Sequence, residues 1–409
     1  MLYWFIRCKT QCRASAGRHT GDSFEERPMK LVIHDLTAEE WEKIRSDYSG
    51  DQIICDLGTI RPCTGCFSCW NRTPGKCVLR DGYENMGELI HKAEEVVVIS
   101  RCTYGGFSGF VKNVFDRCLG YVLPQFEVIG GETHHKKRYA EDKPFTFLFY
   151  GRDLSEEEKE SARRYVQAVC TNIRGSVRAV RFTEQAEQPT AEKIVPTAGR
   201  AKTVMLNASM RSETGNSARL AEQLGKLLQQ DCETVALKKY FGNMPELLSL
   251  LAGADSVILC TPLYVDGLPA QMIRFMEFAE RFPGQLRGKI YVLANMGLYE
   301  SCQLVNLFSV IRLWCRKAQF SYGGGLGVSA GELVGPLMEV IPFGLGPTRE
   351  IAKGMNQLAE AIQRNGDCGE IYTEPTGFPR SLYIAIANSG WNRAARKNGL
   401  RPEELYRKL

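Results

Sequence analysis

The chain has 409 residues, 44% of them apolar and 24% charged, with a formal net charge of +5. That length exceeds one ordinary core and implies two domains. The small charge and the lack of any DNA or RNA module exclude nucleic acid as a partner, and no apolar run reaches the roughly 20 residues of a membrane span. Fifteen cysteines, an odd number, without a signal-peptide pattern point to a reducing compartment, the cytoplasm.

Residues 1–28 are expected to lie outside the fold. Their only apolar run, 2–6, is too short for a signal peptide, and a polar, basic stretch follows. They read as a disordered extension or an early start, with Met29 the functional beginning. A first domain is expected at 29–183. Strands are predicted at 31–33, 52–57, 95–100, 145–150 and 177–182, alternating with helices at 38–46, 86–93 and 155–173 and a glycine-rich loop running into a helix at 103–117. Thr37 with Glu40, and Ser155 with Glu158, form capping boxes. Strands alternating with helices imply a parallel sheet covered on both faces, an α/β fold. In this half Arg101 and Lys112 are expected on solvated surface, Asp116 and Arg117 as an exposed pair, and His134 and His135 on a surface loop.

Between the second and third strands lie Cys63, Cys66, Cys69 and Cys77, spaced C-x2-C-x2-C-x7-C. Close i, i+3, i+6 spacing with a fourth thiol nearby suits a compact cluster, and zinc would accept the same four thiolates. A structural or redox-active thiol set is the alternative. The array resembles that of the iron–sulfur flavoproteins, flavodoxin-like enzymes with a similar motif after strand two. That resemblance implies a [4Fe–4S] cluster on these four residues.

A polar, proline-containing stretch at 184–200 is the expected linker. The second domain, 201–365, repeats the plan. Strands are predicted at 204–206, 233–237, 256–260, 290–295 and 323–328, with helices from 216, at 244–251, after 261, and at 304–317 and 348–363. Two segments, 93–110 and 253–270, align without gaps and place Tyr104 on Tyr264 and Cys102 on Pro262. A repeat of that length means two copies of one domain. Residues 366–409 are expected to be a basic tail, with Tyr383 and Trp391 as anchors onto the body.

The first strand–loop–helix of the second half carries the sharpest signal. Ser209, Arg211, Thr214, Gly215, Asn216 and Ser217 stand between a buried strand and an amphipathic helix. A helix N-terminus offers unpaired N–H groups and partial positive charge, Arg211 adds a full one, and Gly215 allows close backbone approach. The pattern S-x-R-x-x-x-G-N-S resembles the phosphate loop of the flavodoxin-like NAD(P)H-dependent FMN reductases, with Ala208 in place of the usual glycine. Pro262, Leu263, Tyr264 and Val265 resemble the segment that in the same family lies against the flavin ring. Asn295 and Gly297 belong to the next loop that would reach it.

The resemblance implies two flavodoxin-like, doubly wound parallel-sheet domains of about five strands each. It implies FMN in the second, NAD(P)H as electron donor, and a small-molecule or protein acceptor. The first half has the cysteines and no phosphate loop, and the second has the reverse. The cysteine loop is therefore expected to face the flavin across the domain interface, with a homodimer as the fallback. A non-enzymatic electron carrier and a flavin-free binding scaffold are the competing functions.

Overall fold

The computed structural model describes residues 29–184, 202–211 and 214–409. The expected extension at 1–28 and nearly all of the expected linker lie outside the described residues.

Short runs of β-branched and aliphatic residues form the first sheet. Its strands are β1 (Lys30–His34), β2 (Gln52–Cys55), β3 (Glu95–Arg101), β6 (Lys143–Gly151) and β7 (Gly175–Glu184). All pair in parallel in the order β2-β1-β3-β6-β7. Helices α1 (Ala38–Ile44), α2 (Ser68–Asn71), α3 (Met86–Lys92), α4 (Gly109–Asp116) and α5 (Glu156–Ile173) complete this domain. An antiparallel hairpin, β4 (Val122–Ile129) with β5 (Glu132–Lys137), is inserted before β6. The sequence reading omitted it, although Gly130-Gly131, both at positive φ, mark its turn.

The second sheet holds β8 (Thr203–Asn207), β9 (Cys232–Ala236), β10 (Ser256–Pro262), β11 (Lys289–Asn295), β12 (Tyr322–Val328) and β13 (Gly369–Thr373). They pair in parallel in the order β9-β8-β10-β11-β12-β13. Around it stand α6 (Asn216–Leu227), α7 (Met244–Ala252), α8 (Ala270–Ala279), α9 (Val305–Lys317), α10 (Gly331–Val340), α11 (Arg349–Gln363) and α12 (Arg380–Lys397). Both sheets share the strand order 2-1-3-4-5 of the flavodoxin-like fold, whose ligands bind beyond the carboxyl ends of the strands. The second sheet adds a sixth strand from a segment expected to be tail. Glu370 and Tyr372 alternate with Ile371 there, and flanking charges hid the strand.

Sequence also set the repeat one residue out of register. The turn closed by Thr103 and Gly106 matches the one closed by Tyr264 and Gly267, and the strands before them start at Glu95 and Ser256. The spacing is 161 residues in each pair, so Thr103, not Tyr104, stands where Tyr264 does. Cys102 then falls opposite Leu263 rather than Pro262.

The domains meet through α4 on α8 and α5 on α9. The α4–α8 contact is reciprocal. Asp116, the last residue of α4, accepts from the N–H of Ala270, the first of α8 (3.0 Å), and Glu277 of α8 accepts from the N–H of Gly109, the first of α4 (3.3 Å). Each helix thus fills an orphan donor of the other. Tyr104, fully buried, donates to Glu280 across the same interface (2.7 Å).

The Ser155 capping box forms as expected: Ser155 Oγ accepts from Glu158 N–H (3.2 Å) and Glu158 Oε2 from Ser155 N–H (3.0 Å). Replacing Ser155 by alanine is expected to cost about 1 kcal/mol, read as an earlier midpoint in urea unfolding.

Candidate functional site

The loops leaving β8, β10 and β11 converge on one cleft enclosing about 1200 Å³, its open mouth included. Ser209, Arg211, Gly215, Asn216, Ser217, Pro262, Leu263, Tyr264, Val265, Asn295 and Gly297 all line it. Thr214 alone of the residues singled out stands aside, exposed, with its hydroxyl on the carbonyl of Arg211 (3.2 Å).

Local bonds shape the first loop. Asn207 Oδ1 accepts from Ser209 N–H (2.9 Å), which turns the chain sharply after β8. Gly215 is the N-cap of α6 and, among the described residues, no side chain caps that end, so its first N–H groups are open toward the cleft that Gly215, Asn216 and Ser217 line. Ser217 Oγ donates to Asn295 Oδ1 (2.6 Å) and ties the loop to the end of β11. Helix α10 lies across it, because Gly335 leaves room for the Asn216 side chain that any Cβ would strike.

The second loop is held from the first domain. Buried Lys112 donates to the carbonyl of Tyr264 (2.7 Å) and to Asp116 on its own helix. Lys112 is therefore no surface residue. Tyr264 leans over Gly65 of the cysteine loop, where any side chain would strike its hydroxyl, and burial raises its phenol above the ordinary range. Arg211 crosses the same gap. Its Nε donates to the carbonyl of Gly65 (2.9 Å), its guanidinium sits 4.6 Å over the ring of Phe67, and it lies 3.7 Å from Glu332. The cysteine loop thus faces the second domain's cleft within one chain.

An aromatic wall completes the cleft, and sequence reasoning missed most of it. Phe67 stacks on Trp70 (5.2 Å between centroids), and Trp391 of α12 meets both edge-on. His135 packs on Trp70 and Phe126. Burial pushes its imidazole down to about 4, so it is neutral. His134 is buried on β5 as well, and neither histidine lies on a surface loop. The signal available was Phe67 and Trp70 inside the cysteine segment, which the cysteine spacing overshadowed.

The four cysteines line a second, small cavity with Asp116, Arg117 and Leu119. Burial, with the charge of Asp116, pushes Cys63 up to about 12, and burial raises Cys69 too. Against its own burial, bonds from Ser68 and Thr64 hold the more exposed Cys66 below the ordinary thiol value. Arg117 is buried, with Nε on Cys77 Sγ (3.1 Å) and two donors on Asp81 (2.8 and 2.9 Å), so it forms no exposed pair with Asp116. Among the described residues no three such side chains converge as ligands of a metal ion. The thiols share a cavity without forming a coordination sphere, and the expected [4Fe–4S] site is not supported.

Two parallel sheets with this strand order and three loops at their carboxyl ends define a flavodoxin-like protein. Residues 201–323 match the model of the NADPH-dependent FMN reductase family, the resemblance drawn from the loops of the second domain. Solved structures with similarity include the Trp repressor binding protein of Bacillus subtilis (22% identity, 31% of this chain and 83% of that one, TM-score 0.27). Others are an FMN-dependent NADH-azoreductase of Bacillus anthracis in complex with FMN (12%, 41% and 100%, 0.30) and the rubredoxin oxygen:oxidoreductase of Desulfovibrio gigas (12%, 71% and 79%, 0.30). The chain matches no curated protein. No helix among the described residues is long and apolar enough to cross a membrane.

Proposed function

We propose that this protein binds FMN in the interdomain cleft and works as an NAD(P)H-dependent oxidoreductase. The observation that carries the reading is the N-terminus of α6, its N-cap the glycine Gly215, opening beside Arg211 into a cleft that the β10 and β11 loops complete. The donor set fits the group: helix N–H groups, Ser209 and Arg211 suit a phosphate, and the 262–265 and 295–297 loops suit a flat heterocycle. FMN, when bound, supplies the hydride and electron-transfer chemistry.

The chain's own residues hold and shield. Gly215 lets the backbone approach the phosphate, since a Cβ there would lie 3.0 Å from Ser209 Oγ. Lys112 fixes the Tyr264 carbonyl, which sets the direction of the backbone N–H groups after it. Stacked Phe67 and Trp70, with Trp391 edge-on to both, give an aromatic wall across the cleft, suited to a planar acceptor. A small aromatic molecule fits that wall better than a protein does.

Arg211→Ala is expected to weaken FMN binding by about 10- to 100-fold, the worth of a hydrogen bond to a charged group. Titration of FMN fluorescence against purified protein measures it. Arg211→Lys keeps the charge and recovers part of the loss. Wild-type protein that neither quenches FMN fluorescence nor oxidises NADPH or NADH in its presence would leave a binding scaffold.

A further inference from the structure

The turn after Tyr264 is strained. Tyr264 and Gly267 exchange both backbone hydrogen bonds (2.9 and 3.0 Å), which holds Val265 at φ 40° and Asp266 at φ 58°. Left-handed backbone is unfavourable for such residues and persists where surroundings impose it. The first domain packs hard against this turn: a Cβ on Gly267 would come within 3.0 Å of the Tyr165 hydroxyl and 3.2 Å of Lys112 Cε.

That conformation buries the Asp266 side chain between the domains, 2% exposed. Oδ1 accepts from Asn172 Nδ2 (2.5 Å), while Oδ2 is buried without a hydrogen-bond partner among the described residues. The amide of Asn172 is thereby oriented, and its oxygen meets His134 Nδ1 at 2.6 Å, so Nδ1 carries the proton. His134 Nε2 lies 3.5 Å from Glu132 Oε2. Asp266 and Asn172 line the proposed flavin cleft on one side. On the other they line a separate cavity with Glu132, His134, Cys302 and Gln303. The charged and titratable groups around Asp266 are Lys112, Glu132, Tyr165 and Cys170, with His134 behind Asn172.

An orphaned, buried carboxylate oxygen is costly when charged and becomes a free O–H donor when protonated. We propose that Asp266 is the proton-exchanging group of the cleft, drawing protons from solvent at the Glu132/His134 cavity and delivering them to the acceptor reduced at the aromatic wall. The step rests on the oxidoreductase reading above. A quinone-type acceptor gains two electrons and one proton as the hydride equivalent from NAD(P)H. Its remaining oxyanion takes the second proton from Asp266 Oδ2–H, and the carboxylate so formed is reprotonated from solvent. Burial first, then the charge of Glu132, raises the carboxyl to about 7 against the opposing bond from Asn172 and the charge of Lys112, so both forms are populated near neutrality.

The test is an infrared titration of the protein without and with FMN, paired with the pH profile of naphthoquinone reduction by NADPH. A carboxylic-acid band should disappear with a midpoint near pH 7 in wild type and be absent in Asp266→Asn. In Asn172→Leu the midpoint should rise, because the bond to the ionised form is gone. The rate should fall above the midpoint in wild type and lose that limb, with about 100-fold of its size, in Asp266→Asn. An Asp266→Asn protein that binds FMN and keeps the wild-type profile overturns the proposal, as does an Asn172→Leu midpoint that does not move. Wild type that binds no FMN overturns the oxidoreductase reading instead, and the infrared midpoint still reports whether Asp266 exchanges its proton.

Discussion

Lys112→Met is expected to destabilise the protein by about 3–5 kcal/mol, because it leaves Asp116 as an uncompensated charge in the interior. Both side chains of the pair are 2% exposed. Lys112 also donates to Tyr264 and Asp116 also caps Ala270, so one substitution loosens the helix, the α8 N-terminus and the β10 loop together. Burial raises the Asp116 carboxyl, and Lys112 opposes that. Without Lys112 the folded-state pKa rises further above the unfolded value. The variant should therefore regain stability as pH falls toward 5 and lose it as pH rises through the folded pKa. Adding Asp116→Asn removes the stranded charge while keeping an acceptor for Ala270, and the double variant should recover most of the loss. Urea unfolding of wild type and both variants at pH 5 and 7.5 measures this. A single variant within 1 kcal/mol of wild type would mean that water reaches the pair.

Arg117→Met comes next, with an expected loss of similar size, about 3–5 kcal/mol. The Arg117 side chain has no exposure, and its donors hold Asp81, Cys77, and the carbonyls of Arg61 and Leu79. These anchor both ends of the cysteine loop to α4. Against the raising effect of burial, bonds from Arg117 and from the Arg61 N–H hold the Asp81 carboxyl below its ordinary value. A depressed carboxyl stabilises above its unfolded pKa and stops doing so as pH falls through the folded one. The gap between wild type and variant should thus be widest at neutral pH and narrow below about pH 4. Thiol alkylation gives a second readout. Of the four, Cys66, the exposed one, should react first in wild type, while half-buried Cys63 and Cys69 react slowly, and the variant should speed the slow pair. Unchanged rates there would show that the loop stands without Arg117.

Sequence carried the elements and the loops that meet at the cleft far better than the contacts between them. Buried parallel strands announce themselves as continuous aliphatic runs, as in Val96-Val97-Val98-Ile99, and the phosphate-type loop is local, so its residues arrive together. Lys112 was misplaced because lysine is exposed by default. Its burial depends on Asp116 one turn away and on a carbonyl 152 positions later, and only the second lies beyond the reach of helical spacing. Trp391 entered as an anchor and became part of the cleft wall because α12 packs on β4, a contact no periodicity encodes. The one-residue slip between the halves arose because matching tyrosines outweighed strand register. The cysteine spacing placed its thiols around one cavity but could not give the directions in which they point.

The exchanged carboxylate caps of α4 and α8 also govern how anything enters. Swinging the two halves apart would strip an N-terminal donor from each helix at once, together with the buried hydroxyl of Tyr104 and the ammonium of Lys112. Each of these bonds is modest once water can replace it, but gaping would break all of them at once. The protein therefore behaves as a vessel with fixed walls. A guest of the cleft would then have to displace lining side chains such as Trp391, Glu332 and Arg211 rather than the docking of a domain.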